Sequence, residues 1–266
     1  MRIVVCVKHV PDIQSDRQLT EAGRVDRSGE MVLNELDENA IEQALETVES
    51  LGGKDHEVIA VTVGPKEAAV AVRKALQLGA HRGVHVSDDA IAGSDVFATA
   101  KVLAGTIRAI DRETPVDVVL TGMAALDGLT SLMPAVLGGE LNWPELTVAS
   151  DVKIDAESNT VAITRELDHV IETLEADLPA VISVTDQINE PRYPNFRAMM
   201  AARKKSVSTL ALADIDVDPD DVGTTAARTT VTESGARPER EQGVIVTDSG
   251  EGGKQLASWL VENNLV

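Results

Sequence analysis

The apolar positions change their period along the chain, and that change predicts the fold. Ile3 to Val7 is an unbroken apolar run, as expected of a strand buried on both faces. Leu36, Ala40, Ile41, Ala44, Leu45, Val48 and Leu51 then recur at helical spacing and stop at Gly52-Gly53. Val58 to Val63 reads as a second strand. Gly64-Pro65 follows and opens a helix through Leu78, with Pro65 suited to its first position and Gly79 to its end. Gly83 to Val86 is a short third strand. Ser94-Asp95 cap a helix that carries Val96, Ala100, Leu103, Ile107 and Ile110. Val116 to Leu120 is a fourth strand and leads into Thr121-Gly122. Strand and helix alternate throughout, so the expected fold is α/β: a Rossmann-like parallel sheet with helices on both faces.

The alternation then stops. Val148 to Ile154, Val161 to Leu167, His169 to Leu174 and Ala180 to Val184 read as strands with little helix between them, an antiparallel addition to the sheet. After Asn189 the chain turns polar and basic. Asp214 to Gly223 reads as an acidic linker without period, and residues 224–242 hold no core segment. A last amphipathic stretch, Lys254 to Val261, carries Leu256, Trp259, Leu260 and Val261. Such a tail buries little by itself and is expected to pack on a partner chain as an extended arm, with a mobile tail as the alternative. The expected division is a nucleotide-binding domain over 1–190, a basic and aromatic recognition segment over 191–206, and a linker with a C-terminal arm over 207–266.

Composition narrows the classes. The 266 residues carry 44 acids against 24 bases, a formal charge of −20, and only nine of the bases are lysine. An acidic, lysine-poor surface stays hydrated in strong salt, so a halophilic source is expected, with an ordinary acidic cytosolic protein as the alternative. Nucleic acid is a poor partner for such a surface. No apolar run approaches the ~18 residues of a membrane span. Met1 to Lys8 reads as a strand and not as a signal peptide, so a cytoplasmic protein is expected. Cys6, the single cysteine, excludes an internal disulfide and a cysteine-cluster metal site.

Parallel sheets take ligands at the carboxyl ends of their strands. Here these ends are Lys8-His9, Val63-Gly64 and Thr121-Gly122. The last runs into Met123-Ala124-Ala125-Leu126-Asp127-Gly128-Leu129-Thr130-Ser131, whose small residues would let backbone N–H groups approach a phosphate. An ordinary strand-to-helix turn is the alternative. Gly250 to Lys254 resembles a phosphate loop only superficially, because Asp248 and Gln255 stand at two of its required positions. His81 and His85 lie roughly 13 Å apart along a strand, too far to share a metal. Arg192, Arg197, Arg203, Lys204 and Lys205 place five bases in 14 residues with no acid among them, together with Tyr193 and Phe196, two of the five aromatic residues. This pattern suits an interface anchored by aromatics and steered by charge. The alternative is that both rings seal the core.

Several of these segments together resemble the β subunits of electron-transfer flavoproteins. The resemblance is carried by Arg165-Glu166-Leu167-Asp168-His169-Val170-Ile171-Glu172-Thr173-Leu174, by Leu178 to Ser183, by Asn189-Glu190-Pro191-Arg192-Tyr193 and by Met200 to Lys205. Val7 to Asp12, Asn34 to Ala40, Val63-Gly64-Pro65, Ala75 to Ala80 and Trp143-Pro144 add to it, so that it spans roughly residues 1–210. The resemblance implies a heterodimer whose α subunit holds the electron-carrying FAD. It also implies an adenine nucleotide in the β subunit, either AMP or, in electron-bifurcating members, a second FAD. The matching positions are Cys6, Asn34, Glu35, Leu36, Asp37, Val63 and the loop from Met123 to Met133. Asp127-Gly128 and Thr130 are similar to the bifurcating type. Leu132, Met133 and Pro134 depart from the polar residues and glycine usual there, and His169 replaces a glycine. Arg165 and Glu166 would lie at the subunit or flavin boundary. Tyr193, Phe196 and Arg197 would meet redox partners, with Phe196 at the place of the apolar anchor that inserts into acyl-CoA dehydrogenases. A membrane quinone reductase would receive the electrons. A flavin-free nucleotide-binding regulator is the alternative from another class.

Overall fold

Seven strands, all parallel, form the central sheet, and the course of the chain through them sets where a ligand can enter. The computed structural model describes residues 1–15, 18–52, 55–235, 238–239, 243, 245 and 247–266. Gly53 and part of 224–242 therefore lie outside the described residues. The elements begin with β1 (Arg2–Cys6), followed by β2 (His9–Pro11) and β3 (Met31–Leu33), which pair antiparallel with each other. Next come α1 (Glu35–Leu51), β4 (Glu57–Val63), α2 (Ala69–Leu78), β5 (Arg82–Val86), α3 (Val96–Glu113), β6 (Val118–Gly122) and α4 (Met133–Leu141). Strands β7 (Glu145–Ala149), β8 (Asp151–Asp155), β9 (Thr160–Leu167), β10 (Val170–Asp177) and β11 (Ala180–Val184) follow. The chain continues with α5 (Phe196–Ala202), β12 (Val207–Leu210), α6 (Gly223–Ala226) and α7 (Gly252–Glu262).

The sheet order is β12-β5-β4-β1-β6-β11-β7. From β1 the chain adds β4 and β5 on one side, then crosses back through α3 to place β6 on the other. Alternate residues of each strand serve opposite faces. Ile3, Val5, Val58, Ala60, Val118 and Leu120 pack with Ala40, Ile41, Ala44 and Leu45 of α1 and Val72, Ala75 and Leu76 of α2. Val4, Ile59, Val61 and Val119 pack on the other face with Leu103 and Ile107 of α3 and Leu137 of α4. Helix α3 starts where Asp95 accepts the N–H groups of Phe97 (3.0 Å) and Ala98 (3.1 Å). Pro65 precedes a short 3-10 turn, Lys66–Ala68, that leads into α2, so the α-helix begins about one turn later than the expected start at Pro65.

The antiparallel region differs from expectation in two ways. β8, β9 and β10 form their own three-stranded sheet, while β7 and β11 are parallel members of the central one. The run Val148 to Ile154 is divided between the two sheets. Val148 takes a left-handed conformation, φ 56°, and pairing changes partner at Ser150. Thr185 N–H still bonds Ala149 O at 2.9 Å, whereas Ser150 N–H bonds Thr164 O at 2.8 Å.

The segment expected as an acidic linker contains the 3-10 turn Pro219–Asp221 and begins inside another, Leu212–Ile215. Its Ile215 and Val222 are buried with Leu212, Val86 and Val102 in a third apolar cluster. Three apolar side chains spread over 11 residues show no helical or strand period, so this packing leaves no periodic signal. Residues Met1–Thr232 form one compact unit and Glu233–Val266 a second. Within the second, α7 buries no residue, and its Leu256, Trp259 and Val261 are exposed. Among the described residues no helix is long and apolar enough to cross a membrane.

Gly122 marks the closest approach of sheet and helix. A Cβ there would lie 2.6 Å from the Leu36 carbonyl oxygen and 2.8 Å from Asp37 Oδ1. Gly122→Ala must push β6 from α1 and is expected to cost about 2–3 kcal/mol. Gly139→Ala in α4 meets nothing within 4 Å and should stabilise by about 0.5–1 kcal/mol. Urea denaturation of the two variants measures both, and equal effects would contradict the packing at Gly122.

Candidate functional site

The order β4-β1-β6 puts the switch of the sheet between β1 and β6, where α1, after β1, and α4, after β6, leave on opposite faces. In open parallel sheets the crevice beyond the strand ends at such a point takes the ligand. Here the side chain of Asn34, fully buried between Leu33 and α1, fills the gap. Its backbone N–H donates to Lys8 O at 2.9 Å. Its Nδ2 donates to Asp37 Oδ1 and to Ala124 O, both at 2.9 Å. Its Oδ1 accepts Leu126 N–H at 2.9 Å. One residue thus ties three stretches: its side-chain amide holds the first turn of α1 and the loop after β6, and its backbone N–H holds the end of β1.

Asp37 completes the knot. Its Oδ2 accepts Lys8 N–H at 2.8 Å. Burial pushes its carboxyl up to about 7, and the Asn34 and Lys8 donors pull only partly the other way. Cys6, at the end of β1, is buried, and burial, with the Asp37 carboxylate adding to it, pushes its thiol up to about 12. It is an inert wall, not a nucleophile.

The loop is fastened a second time through Asp127. Lys8 Nζ reaches Asp127 Oδ1 at 2.9 Å and Arg27 Nη2 reaches Oδ2 at 2.6 Å, while Arg27 Nη1 donates to His9 O at 2.7 Å. Burial raises the Asp127 carboxyl, but the Lys8 and then the Arg27 charges outweigh it and hold it below the usual range. Two cations on one carboxylate leave a local positive charge in a chain of −20.

Beyond Asp127 the loop turns outward, and Gly128 to Leu132 are exposed. Leu129 and Ser131 are left-handed, φ 50° and 51°, and Leu132 follows in the right-handed helical region. These left-handed residues stand directly before the start of α4, and turns of this kind at a helix start can offer backbone N–H groups to an anion. The departures at Leu132, Met133 and Pro134 remove polar side chains, but this backbone geometry remains.

Of the expected nucleotide positions, the structure gathers Cys6, Asn34, Leu36, Asp37 and Met123 to Asp127 around the β1–β6 boundary. Glu35 is exposed at the start of α1, Val63 ends the neighbouring strand β4, and Met133 packs under α4. Lys8 and Arg27 are additional. Lys8 carried a signal, as the first residue past the apolar run Ile3 to Val7. Arg27 lies in the aperiodic run Gly23 to Gly29 and carried none.

The expected partner residues lie elsewhere and fall into two groups. Arg165 on β9 bonds Glu172 of β10 at 2.6 Å, with Glu166 exposed beside it. Tyr193 is 93% exposed and Phe196 75%, so neither ring seals the core. Arg197 is exposed next to them, and Met199 and Met200 extend the apolar surface. Of the five bases, Arg192 and Lys205 are bound within the fold and so are not free for a partner. Arg192 grips Glu42 and Glu49, and Lys205 caps the end of α2.

A seven-stranded parallel sheet flanked by helices, with a polar knot at its switch point, defines a Rossmann-like α/β protein. A family model described as the electron transfer flavoprotein domain matches residues 22–215, and the chain belongs to that family. It is 42% identical to an electron transfer flavoprotein subunit beta of Mycobacterium bovis, over 99% of each chain. It is 40% identical to the subunit of the same name of Mycobacterium leprae, again over 99% of each. It is 32% identical to the caffeyl-CoA reductase-Etf complex subunit CarD of Acetobacterium woodii, over the full length of both.

The Asp37 carboxyl gives a pH test. The folded chain holds this proton up to about pH 7, whereas an unfolded Asp releases it near 3.8. The native state therefore binds more protons between these values, and stability falls as pH rises through that window, by up to ~4 kcal/mol. Asp37→Asn keeps the neutral shape and is expected to flatten the slope of unfolding free energy between pH 4 and 7. An unchanged slope would show that Asp37 is ionised throughout.

Proposed function

We propose that the chain is the β half of a heterodimeric flavin electron carrier in the cytoplasm. It pairs with an electron-transfer flavoprotein α subunit that holds the FAD and takes electrons from acyl-CoA or related dehydrogenases. A membrane quinone reductase receives them. The cofactor carries the electrons, and the side chains position it and its partners. The β1–β6 crevice is read as the seat of an adenine nucleotide, with Asn34 and Asp37 fixing the loop and the N–H groups of 131–133 meeting phosphate. Arg165 and Glu166 are assigned to the subunit boundary, and the arm with α7 to the surface of the α subunit. The charge of −20 supports a saline cell interior.

The observation that carries this reading is the exposure of Tyr193 and Phe196 on a chain with only five aromatic residues. Large rings left in water on a structured segment suit a redox partner that docks over a small area. A second reading, an electron-bifurcating subunit oxidising NADH with a second FAD in the crevice, is favoured by Asp127-Gly128 and Thr130. Nucleotides released on denaturing the heterodimer separate the two: one FAD plus AMP for the carrier, two FAD for the bifurcating type. For the docking surface, Phe196→Ala is expected to lower kcat/KM with the dehydrogenase by roughly 30-fold, about 2 kcal/mol, with flavin content unchanged. Kinetics equal to the wild type would remove the anchor.

A further inference from the structure

The five bases between Arg192 and Lys205 divide by what they touch. The Arg192 guanidinium lies across two carboxylates of α1. Its Nε meets Glu42 Oε2 at 2.7 Å and its Nη2 meets Glu42 Oε1 at 2.8 Å. Its Nη1 meets Glu49 Oε1 at 2.7 Å and its Nη2 also reaches Glu49 Oε2 at 3.1 Å. The backbone N–H of Arg192 adds a bond to Glu42 Oε2 at 3.1 Å. The Glu42 side chain is 7% exposed, so the inner carboxylate has little water to fall back on. Bonding to Glu42, and then to Glu49, raises the Arg192 pKa further, and Arg192 holds Glu49 below the usual carboxylate range.

At the other end, the Lys205 ammonium sits on three carbonyls at the end of α2. It donates to Ala80 O at 2.6 Å, Gly79 O at 2.9 Å and Leu76 O at 3.3 Å, which uses all three of its protons. Helix ends leave such carbonyls unpaired and partly negative. Burial lowers the Lys205 pKa, as expected of an ammonium withdrawn from water. Between the two ends the strap is stiffened again. Pro194 fixes the turn, and Asn195 caps α5 by accepting Ala198 N–H at 2.9 Å. Buried Ala202 seats the helix against α2. Arg197, Arg203 and Lys204 are exposed, in the same short segment as the exposed Tyr193, Phe196, Met199 and Met200.

We propose that Arg192 and Lys205 are positioning residues that pin the two ends of this strap, and that Arg197, Arg203 and Lys204 alone supply the charge a partner meets. The partner is a protein with an acidic rim around an apolar socket. Three free cations around exposed rings and thioethers, in a chain of −20, are complementary to that surface and repel most others. The pins cut the ordering cost of docking, and the free bases speed encounter. This partition rests on the docking role proposed above.

The test is steady-state reduction of the reconstituted heterodimer by its dehydrogenase over a range of ionic strength. Arg203→Gln and Lys204→Gln are expected to lower kcat/KM several-fold at low salt and to flatten its salt dependence. Arg192→Gln is expected to raise KM several-fold, with kcat and the salt slope unchanged. On that background Phe196→Ala should lose less than it loses alone, because the anchor is no longer held in place. Arg192→Lys should not restore KM, since one ammonium cannot fork two carboxylates. If Arg192→Gln lowers the folded yield, Glu49→Gln removes only the exposed half of the clamp and should give a smaller KM change in the same direction. Wild-type KM in these pin variants, or a salt slope flattened by Arg192→Gln as much as by Arg203→Gln, would overturn the partition while leaving the docking role standing. An inert Phe196→Ala on the wild-type background would overturn both.

Discussion

The side chain of Asn34 is the constraint on which the rest of the site depends. It is buried with both amide groups bonded, and together with the backbone N–H of the same residue it reaches three stretches of chain. Each partner is a backbone or carboxylate group that would otherwise be left unpaired away from water, which is costly. The amide therefore sets the distance between the ends of β1 and β6 and the direction in which the next loop departs. Gly122 permits this closeness, because any larger residue would collide with the first turn of α1. The other acids of that turn, Glu35 and Glu38, suit the positive end of the helix. A neutralised Asp37 in the same knot keeps the interior free of an unbalanced charge.

Much of the sheet could be read directly from the chain. Ile3 to Val7, Val58 to Val63 and Gly83 to Val86 are short apolar runs between helical stripes, and each is a strand of the parallel sheet. Ala180 to Val184 has the same unbroken apolar character and is fully buried. That character belongs to a parallel strand, although its antiparallel neighbours in sequence suggested otherwise. The break at Ser150 left no comparable trace, because changing sheets requires one left-handed residue, here a valine, and no glycine announces it. Strand β12 and the buried Ile215 and Val222 were hidden for a related reason: in an acidic segment, single apolar contacts set by tertiary structure carry no period.

The site was legible in position more than in wiring. Strand ends and a loop of small residues located the crevice, since this follows from sheet topology. The ion pairs of Asp127 with Lys8 and Arg27 join residues about a hundred positions apart, and charge spacing along one chain does not encode such pairs. The same limit applies to the basic segment. Five bases in a row of 14 residues look equivalent in sequence, yet two are bound within the fold and three are exposed. Exposure of Tyr193 and Phe196 could be suggested from their polar surroundings but was decided by packing.

The centre of this account is that the chain is one half of a flavin carrier whose electrons come from another protein. Co-expression with an α subunit of the same family, purification of the complex and addition of substrate with a catalytic amount of an acyl-CoA dehydrogenase test it most directly. The account predicts a yellow one-to-one complex whose flavin absorbance bleaches as the dehydrogenase turns over. A colourless complex, no complex, or a flavin that stays oxidised would contradict it.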